Sequence, residues 1–185
     1  IDDDLVAAAL ERLESDRRVM AIILPEGERA VFAPALYICE SSVALYLRSL
    51  VETGKPFPRI DLEGAVCAFE ATHSIEFAPE QREAVRQACA GGCLVVTGGP
   101  GTGKTTLVRA VIQILEKESV EIQLCAPTGR AAQRLSETTG RNASTIHRLL
   151  KYSPDTGFFH NQHNPLKVDL LIVDETSMVD VPLGY

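Results

Sequence analysis

The sequence has no tryptophan, two methionines and an odd number of cysteines, five, of which only Cys89 and Cys93 stand close together. No second pair completes a zinc site of ordinary spacing, so free, buried thiols are expected. No apolar run approaches the roughly 18 residues needed to span a bilayer. The start, Ile1-Asp2-Asp3-Asp4, is acidic where a secretory signal is basic, and the expectation is a cytoplasmic chain that does not enter a membrane. An excess of positive charge is also missing: 25 acidic against 18 basic residues leave −7, which excludes a protein that grips nucleic acid by bulk charge alone. Repeats and biased tracts are absent. What is present is 185 residues that are 45% apolar, enough for one or two ordinary cores.

The acidity is unevenly spread. Residues 1–76 hold 14 acids and 7 bases, whereas residues 77–185 hold 11 of each. Gly54-Lys55-Pro56-Phe57-Pro58 and the stretch around His73-Ser74 read as connectors, so the expected division is a small α+β segment over 1–76 and a larger unit over 77–185. In the first, Asp4 starts a helix, Val19–Leu24 and Arg29–Phe32 flank a hairpin turn, and a second helix covers about Ser42–Leu50. Helix, hairpin, helix is compatible with part of a winged-helix unit. Twice as many acids as bases argues for packing there rather than DNA binding.

The larger unit carries the chemistry. Cys93–Thr97 is a short apolar run that ends in Gly98-Gly99-Pro100-Gly101-Thr102-Gly103-Lys104-Thr105-Thr106, and Leu107, Val108, Val111, Ile112 and Leu115 follow at helical spacing. Gly98, four residues, then Gly103-Lys104-Thr105 is the phosphate-binding loop between strand and helix. Glycines let phosphate oxygens approach the backbone, and amides of the loop and helix N-terminus point at the anion. Lys104 suits the β and γ phosphates, and the Thr105 hydroxyl is a ligand for Mg²⁺. A nucleoside triphosphate is therefore the expected ligand.

Val168, Leu170, Leu171, Ile172 and Val173 form a second apolar run, suited to a buried parallel strand, and it ends in Asp174-Glu175. In open α/β sheets ligands bind at the carboxyl ends of strands, so this edge is expected to face the loop. Asp174 is placed to hold Mg²⁺, and Glu175 to orient and deprotonate the attacking water.

From Phe77 onward the chain resembles the superfamily 1 DNA helicases of the RecD-like type, related to the exodeoxyribonuclease V alpha subunit. The resemblance rests on Phe77-Ala78-Pro79-Glu80-Gln81, on Gly98–Thr106, on Ala126-Pro127-Thr128-Gly129-Arg130-Ala131-Ala132, on Thr145-Ile146-His147-Arg148-Leu149-Leu150, and on Asp174-Glu175-Thr176-Ser177-Met178. It implies an α/β fold, the RecA-like parallel sheet of a P-loop NTPase, here a first motor domain cut short at its C-terminus. It also implies ATP and Mg²⁺ as cofactors, Gln81 as the adenine reader, and Thr128, Arg130, Thr145 and His147 along a single-stranded DNA path. Local charge agrees, since Gly129–Lys151 holds five basic residues against Glu137. In Tyr152–Lys167, one ring of Phe158-Phe159 is expected to pack, with stacking on bases as the alternative use.

The resemblance further implies a second RecA-like domain that supplies arginine fingers. With eleven residues after Asp174, the chain reads as a piece of a longer ATP-dependent DNA helicase of recombination and repair, moving 5′ to 3′ by resemblance. Alone it is expected to hydrolyse ATP weakly or not at all. Two other readings stay open: the helicase part of a conjugative relaxase, and a non-catalytic, nucleotide-gated DNA-binding module. Partner subunits are left unassigned.

Overall fold

The computed structural model describes residues 3–54, 57, 60–99 and 101–185. They fall into two compact units, Ile1–Ser49 with Val179–Tyr185, and Leu50–Met178.

The first unit follows the expected order. Helix α1 (Asp3–Ser15) carries Asp3 and Asp4 in its first turn, where the helix dipole favours negative charge. Strands β1 (Met20–Ile23) and β2 (Arg29–Phe32) pair antiparallel, with Met20 opposite Phe32 and Ile23 opposite Arg29. Gly27, at φ 87°, supplies the left-handed residue of the turn and donates its N–H to Leu24 O at 2.8 Å. Helix α2 (Pro34–Thr53), which lies in this unit up to Ser49, is longer than the sequence reading, because Pro34 is tolerated in a first turn and helix formers run on from it. A short helix, Val181–Gly184, capped by the Asp180 carboxylate, belongs to this unit. None of its described residues is buried.

The second unit holds the core. Its elements are α3 (Leu62–His73), α4 (Pro79–Ala90), α5 (Lys104–Glu116), β3 (Ile122–Ala126), α6 (Gly129–Thr139), β4 (Ala143–Thr145), α7 (Ile146–Leu149), β5 (Tyr152–Ser153), β6 (Gly157–Phe158) and β7 (Leu170–Val173). The sheet is parallel, in the order β4-β3-β7. Its register sets Ala126 beside Thr145 and Cys125 beside Val173. Three strand ends therefore share one edge. Helix α5 buries Leu107, Ala110, Val111, Ile114 and Leu115, one face at helical spacing, in the cluster that also holds Val85, Ile122 and Leu124. No helix among the described residues is long and apolar enough to cross a membrane.

Two expectations differ from the structure. The compact units divide at Ser49/Leu50 rather than near residue 76. Between the two stretches read as connectors lies a helix the sequence reading did not assign, α3, capped by Asp61 and ended by left-handed Ser74, and it buries Val66 and Phe69, with Phe69 stacked on Phe77 at 5.7 Å. Residues 93–97, read as a strand, join no sheet, and Leu94, Val95 and Val96 are exposed. A strand needs a neighbour's N–H and C=O groups, and no described strand presents them to this segment.

Candidate nucleotide-binding site

The loop before α5 has the backbone that its glycines permit. Gly101 and Gly103 lie at φ 75° and 81°, in the left-handed region that other residues enter at a cost. Pro100 lies outside the described residues. Thr102 Oγ1 donates to Gly99 O at 2.9 Å and closes the curve. Lys104 opens α5, and its Nζ donates to Gly98 O at 2.5 Å and to Gly99 O at 2.8 Å, which holds the ammonium against the loop.

Gly103 caps α5 without a side-chain acceptor, and an N-terminus of this kind offers its first N–H groups to an anion. Thr105 is exposed in the first turn and Thr106 half-buried beside it. Main-chain donors, one ammonium and a hydroxyl on a helix N-terminus are the chemistry that recognises a polyphosphate. A side chain at two of these glycines would also displace a neighbouring side chain. A Cβ on Gly103 would stand 2.6 Å from Gln81 Nε2, and one on Gly98 would stand 2.7 Å from Thr102 Oγ1.

Gln81 joins the loop through its side chain. Its Oε1 accepts the Ala78 N–H at 2.9 Å, which compensates for Ala78 being a poor cap, and its Nε2 donates to Thr102 O at 2.9 Å. An open cleft of about 490 Å³ runs between α4 and residues 94–97, beside the cradle rather than within it.

Asp174 follows β7 at the shared strand edge, and its N–H donates to Cys125 O at 2.9 Å. Its Oδ1 accepts the Glu175 N–H at 2.9 Å, and Glu175 sits at φ 52°, a strained setting for a residue with a side chain. Glu175 is exposed. Among the described residues, no hydrogen bond or ion pair joins Asp174 or Glu175 to the loop.

The same edge carries the residues expected on a DNA path. Thr128 Oγ1 accepts the Ala131 N–H at 3.2 Å as the cap of α6, and Thr145 Oγ1 accepts the Arg148 N–H at 3.2 Å as the cap of α7. Each hydroxyl acts as an acceptor in its cap, and its own proton is not used there. Arg130 is exposed. His147 is exposed but packs its ring on Tyr152 at 5.4 Å and on Phe158 at 5.6 Å. Arg141, counted in the basic stretch, pairs with Glu116. Phe158 is the packed ring of its pair, and Phe159 is exposed with Lys151 Nζ 5.1 Å above it.

Sequence reasoning missed Glu70, the one buried charged side chain among the described residues. It had a signal. Val66, Phe69 and Glu70 fall at i, i+3 and i+4, which puts an acid on the apolar stripe of α3.

The chain is 42% identical over 176 residues to the ATP-dependent RecD2 DNA helicase of Deinococcus radiodurans, covering 94% of this chain and 24% of that protein. It is 43% identical over 129 residues to the RecBCD enzyme subunit RecD of Mycolicibacterium smegmatis, covering 56% of this chain and 23% of the subunit. The ATP-dependent DNA helicase dda of Enterobacteria phage T4 is 39% identical over 94 residues, 47% of this chain and 21% of that helicase. The chain thus spans a quarter or less of the length of these relatives, and its resemblance to RecD-like helicases extends across the first unit as well as the second. The model of the AAA domain matches residues 81–185, more than half of the sequence, and the chain belongs to that family.

Proposed function

We propose that this chain is the ATP-binding part of an ATP-dependent DNA helicase of recombination and repair, cytoplasmic and moving 5′ to 3′ along single-stranded DNA. The observation that carries the reading is the left-handed glycine loop with Lys104 folded across it, leading into a helix whose N-cap is Gly103, with no side chain to cap it. That arrangement recognises phosphate by main-chain donors, and the similarity to RecD-like helicases supports its use on ATP.

In this reading the loop amides and Lys104 hold the β and γ phosphates, and Gln81 reads the adenine. Thr105 and Asp174 are the residues that would hold Mg²⁺, whose charge would offset that building on the phosphates. Glu175 aligns the attacking water and takes its proton at the carboxylate. Thr128 and Thr145 donate hydroxyl protons to DNA phosphates, Arg130 adds charge-assisted contacts, and His147 lies beside the same strand. The shared edge of β3, β4 and β7 is the physical basis for coupling the two ligands, since Asp174, Thr128 and Thr145 lie on neighbouring strand ends.

The test is unwinding of a duplex with a single-stranded tail by the full-length protein, together with DNA-stimulated ATP turnover. Both activities in the wild type, and neither in Lys104→Ala, are expected. Unwinding that survives Lys104→Ala would overturn the reading. ATP binding without unwinding would instead favour a nucleotide-gated DNA-binding module, and a DNA-nicking domain in the same protein would favour a relaxase.

A further inference from the structure

We infer that Glu70 is a positioning residue that fixes the orientation of the Gln81 amide and thereby sets the preference for adenine over guanine, an inference that rests on Gln81 being the base reader. Glu70 is 8% exposed, and a carboxylate that deep is tolerated only when its oxygens are matched by donors. Both are matched. Oε1 accepts the Phe77 N–H at 2.8 Å, and Oε2 pairs with Arg82 Nη2 at 2.5 Å. Arg82 also lies 3.6 Å from Glu63, so its guanidinium bridges two acids of α3. The two partners of Glu70 bracket residues 78–81. The carboxylate therefore clamps both ends of the turn that carries Gln81.

What the clamp holds is a side-chain amide with a defined direction. Ala78 N–H can bond only to Gln81 Oε1, and Thr102 O only to Nε2, so rotating the amide by a half-turn would set donor against donor and acceptor against acceptor. Each amide atom has one further valence, leaving one N–H and one oxygen lone pair. One N–H donor and one oxygen acceptor are the chemical complement of the adenine edge, which offers the N6 amino donor and the N7 acceptor; guanine offers two acceptors there, O6 and N7. A fixed amide thus meets guanine with its oxygen facing an oxygen. A free amide would not be held to that mismatch. Discrimination therefore depends on how firmly the turn holds Ala78 N–H, one residue from the Phe77 N–H that Glu70 grips.

A purely structural Glu70 predicts something different, because loosening the packing of α3 would weaken every ligand of the loop alike. The test uses the full-length protein and compares, by calorimetry in the presence of Mg²⁺, the affinities for ATP, GTP and inorganic tripolyphosphate, which has phosphates and no base. The wild type is expected to prefer ATP over GTP by about tenfold or more. In Glu70→Ala that preference should collapse to within about twofold through weaker ATP binding, with tripolyphosphate affinity unchanged. Glu70→Gln, which keeps an acceptor for Phe77 N–H, should retain part of the preference. Arg82→Gln, at a part-exposed side chain, should lose part of it and decides the matter should Glu70→Ala fail to fold. Preference retained in folded Glu70→Ala or, failing that, in Arg82→Gln, or parallel loss of all three ligands, would overturn the positioning role while leaving the Gln81 reading intact. A wild type with no preference for ATP would overturn both.

Discussion

The two compact units contain similar kinds of apolar residue and use them differently. In the first, Leu5, Ile23 and Leu45 are 68%, 69% and 67% exposed, and no described residue is buried. In the second, α5 alone buries six side chains, and Leu115 and Leu124 are at 2% exposure or less. Hydrophobic composition is thus not burial. A helix stabilises a fold only where its apolar face meets other elements, and α5 packs beside α3, α4 and α6 in a cluster that includes Ile122 and Leu124 of β3, while α1 and α2 bury nothing. The candidate chemistry follows the same division, since a phosphate cradle must be held by rigid elements to act.

Substitutions can break or sharpen this contrast. The largest effect is expected at Lys104→Ala in the full-length protein, which should bring DNA-stimulated ATP turnover to background; measurable turnover would detach the loop from the activity. Glu175→Gln should keep ATP binding and slow turnover by about 10²–10⁴-fold, the usual contribution of a general base, and an unchanged rate would remove Glu175 from that role.

Stability should divide likewise. Leu115→Ala is expected to cost about 2–5 kcal/mol in denaturant unfolding, against less than about 0.5 kcal/mol for Leu45→Ala. Equal costs would show that Leu45 is packed as Leu115 is, and would erase the contrast. The smallest effect concerns the thiols. Burial pushes Cys89 and Cys125 up to about 11, so they stay protonated and unreactive at pH 8 while exposed Cys67 and Cys93 are alkylated. Their folded values exceed the ordinary 9.0, so the folded state binds more protons between about pH 9 and 11. Their contribution to stability is complete below that window and declines as pH rises through it, which pH-dependent melting would reveal.

Much of the site was legible because its physics is local. The loop, the start of α5 at Lys104 and the acids after β7 each depend on neighbours within a few residues, as does the β1–β2 hairpin. Connections across the chain were not legible. Gln81 reaches Thr102 over 21 residues, and Glu70 reaches Arg82 over 12, with no spacing rule to announce either. Helix α3 was hidden by the proline and glycine residues before it, although its burial assigns it to the second unit. The apolar run at residues 93–97 had the composition of a strand, but pairing depends on a partner edge that composition does not encode. Thr128 and Thr145, expected on a DNA path, cap α6 and α7 in the structure, a role the sequence reading did not assign; one hydroxyl can accept from a backbone amide and donate elsewhere.

The central claim is that the main-chain donors of residues 98–106, with the Lys104 ammonium, bind a polyphosphate. Calorimetric titration of the full-length protein with ATP and Mg²⁺ addresses it most directly. Saturable binding by the wild type, lost in Lys104→Ala and retained in Glu175→Gln, is the predicted result; equal affinity in the wild type and Lys104→Ala would contradict it.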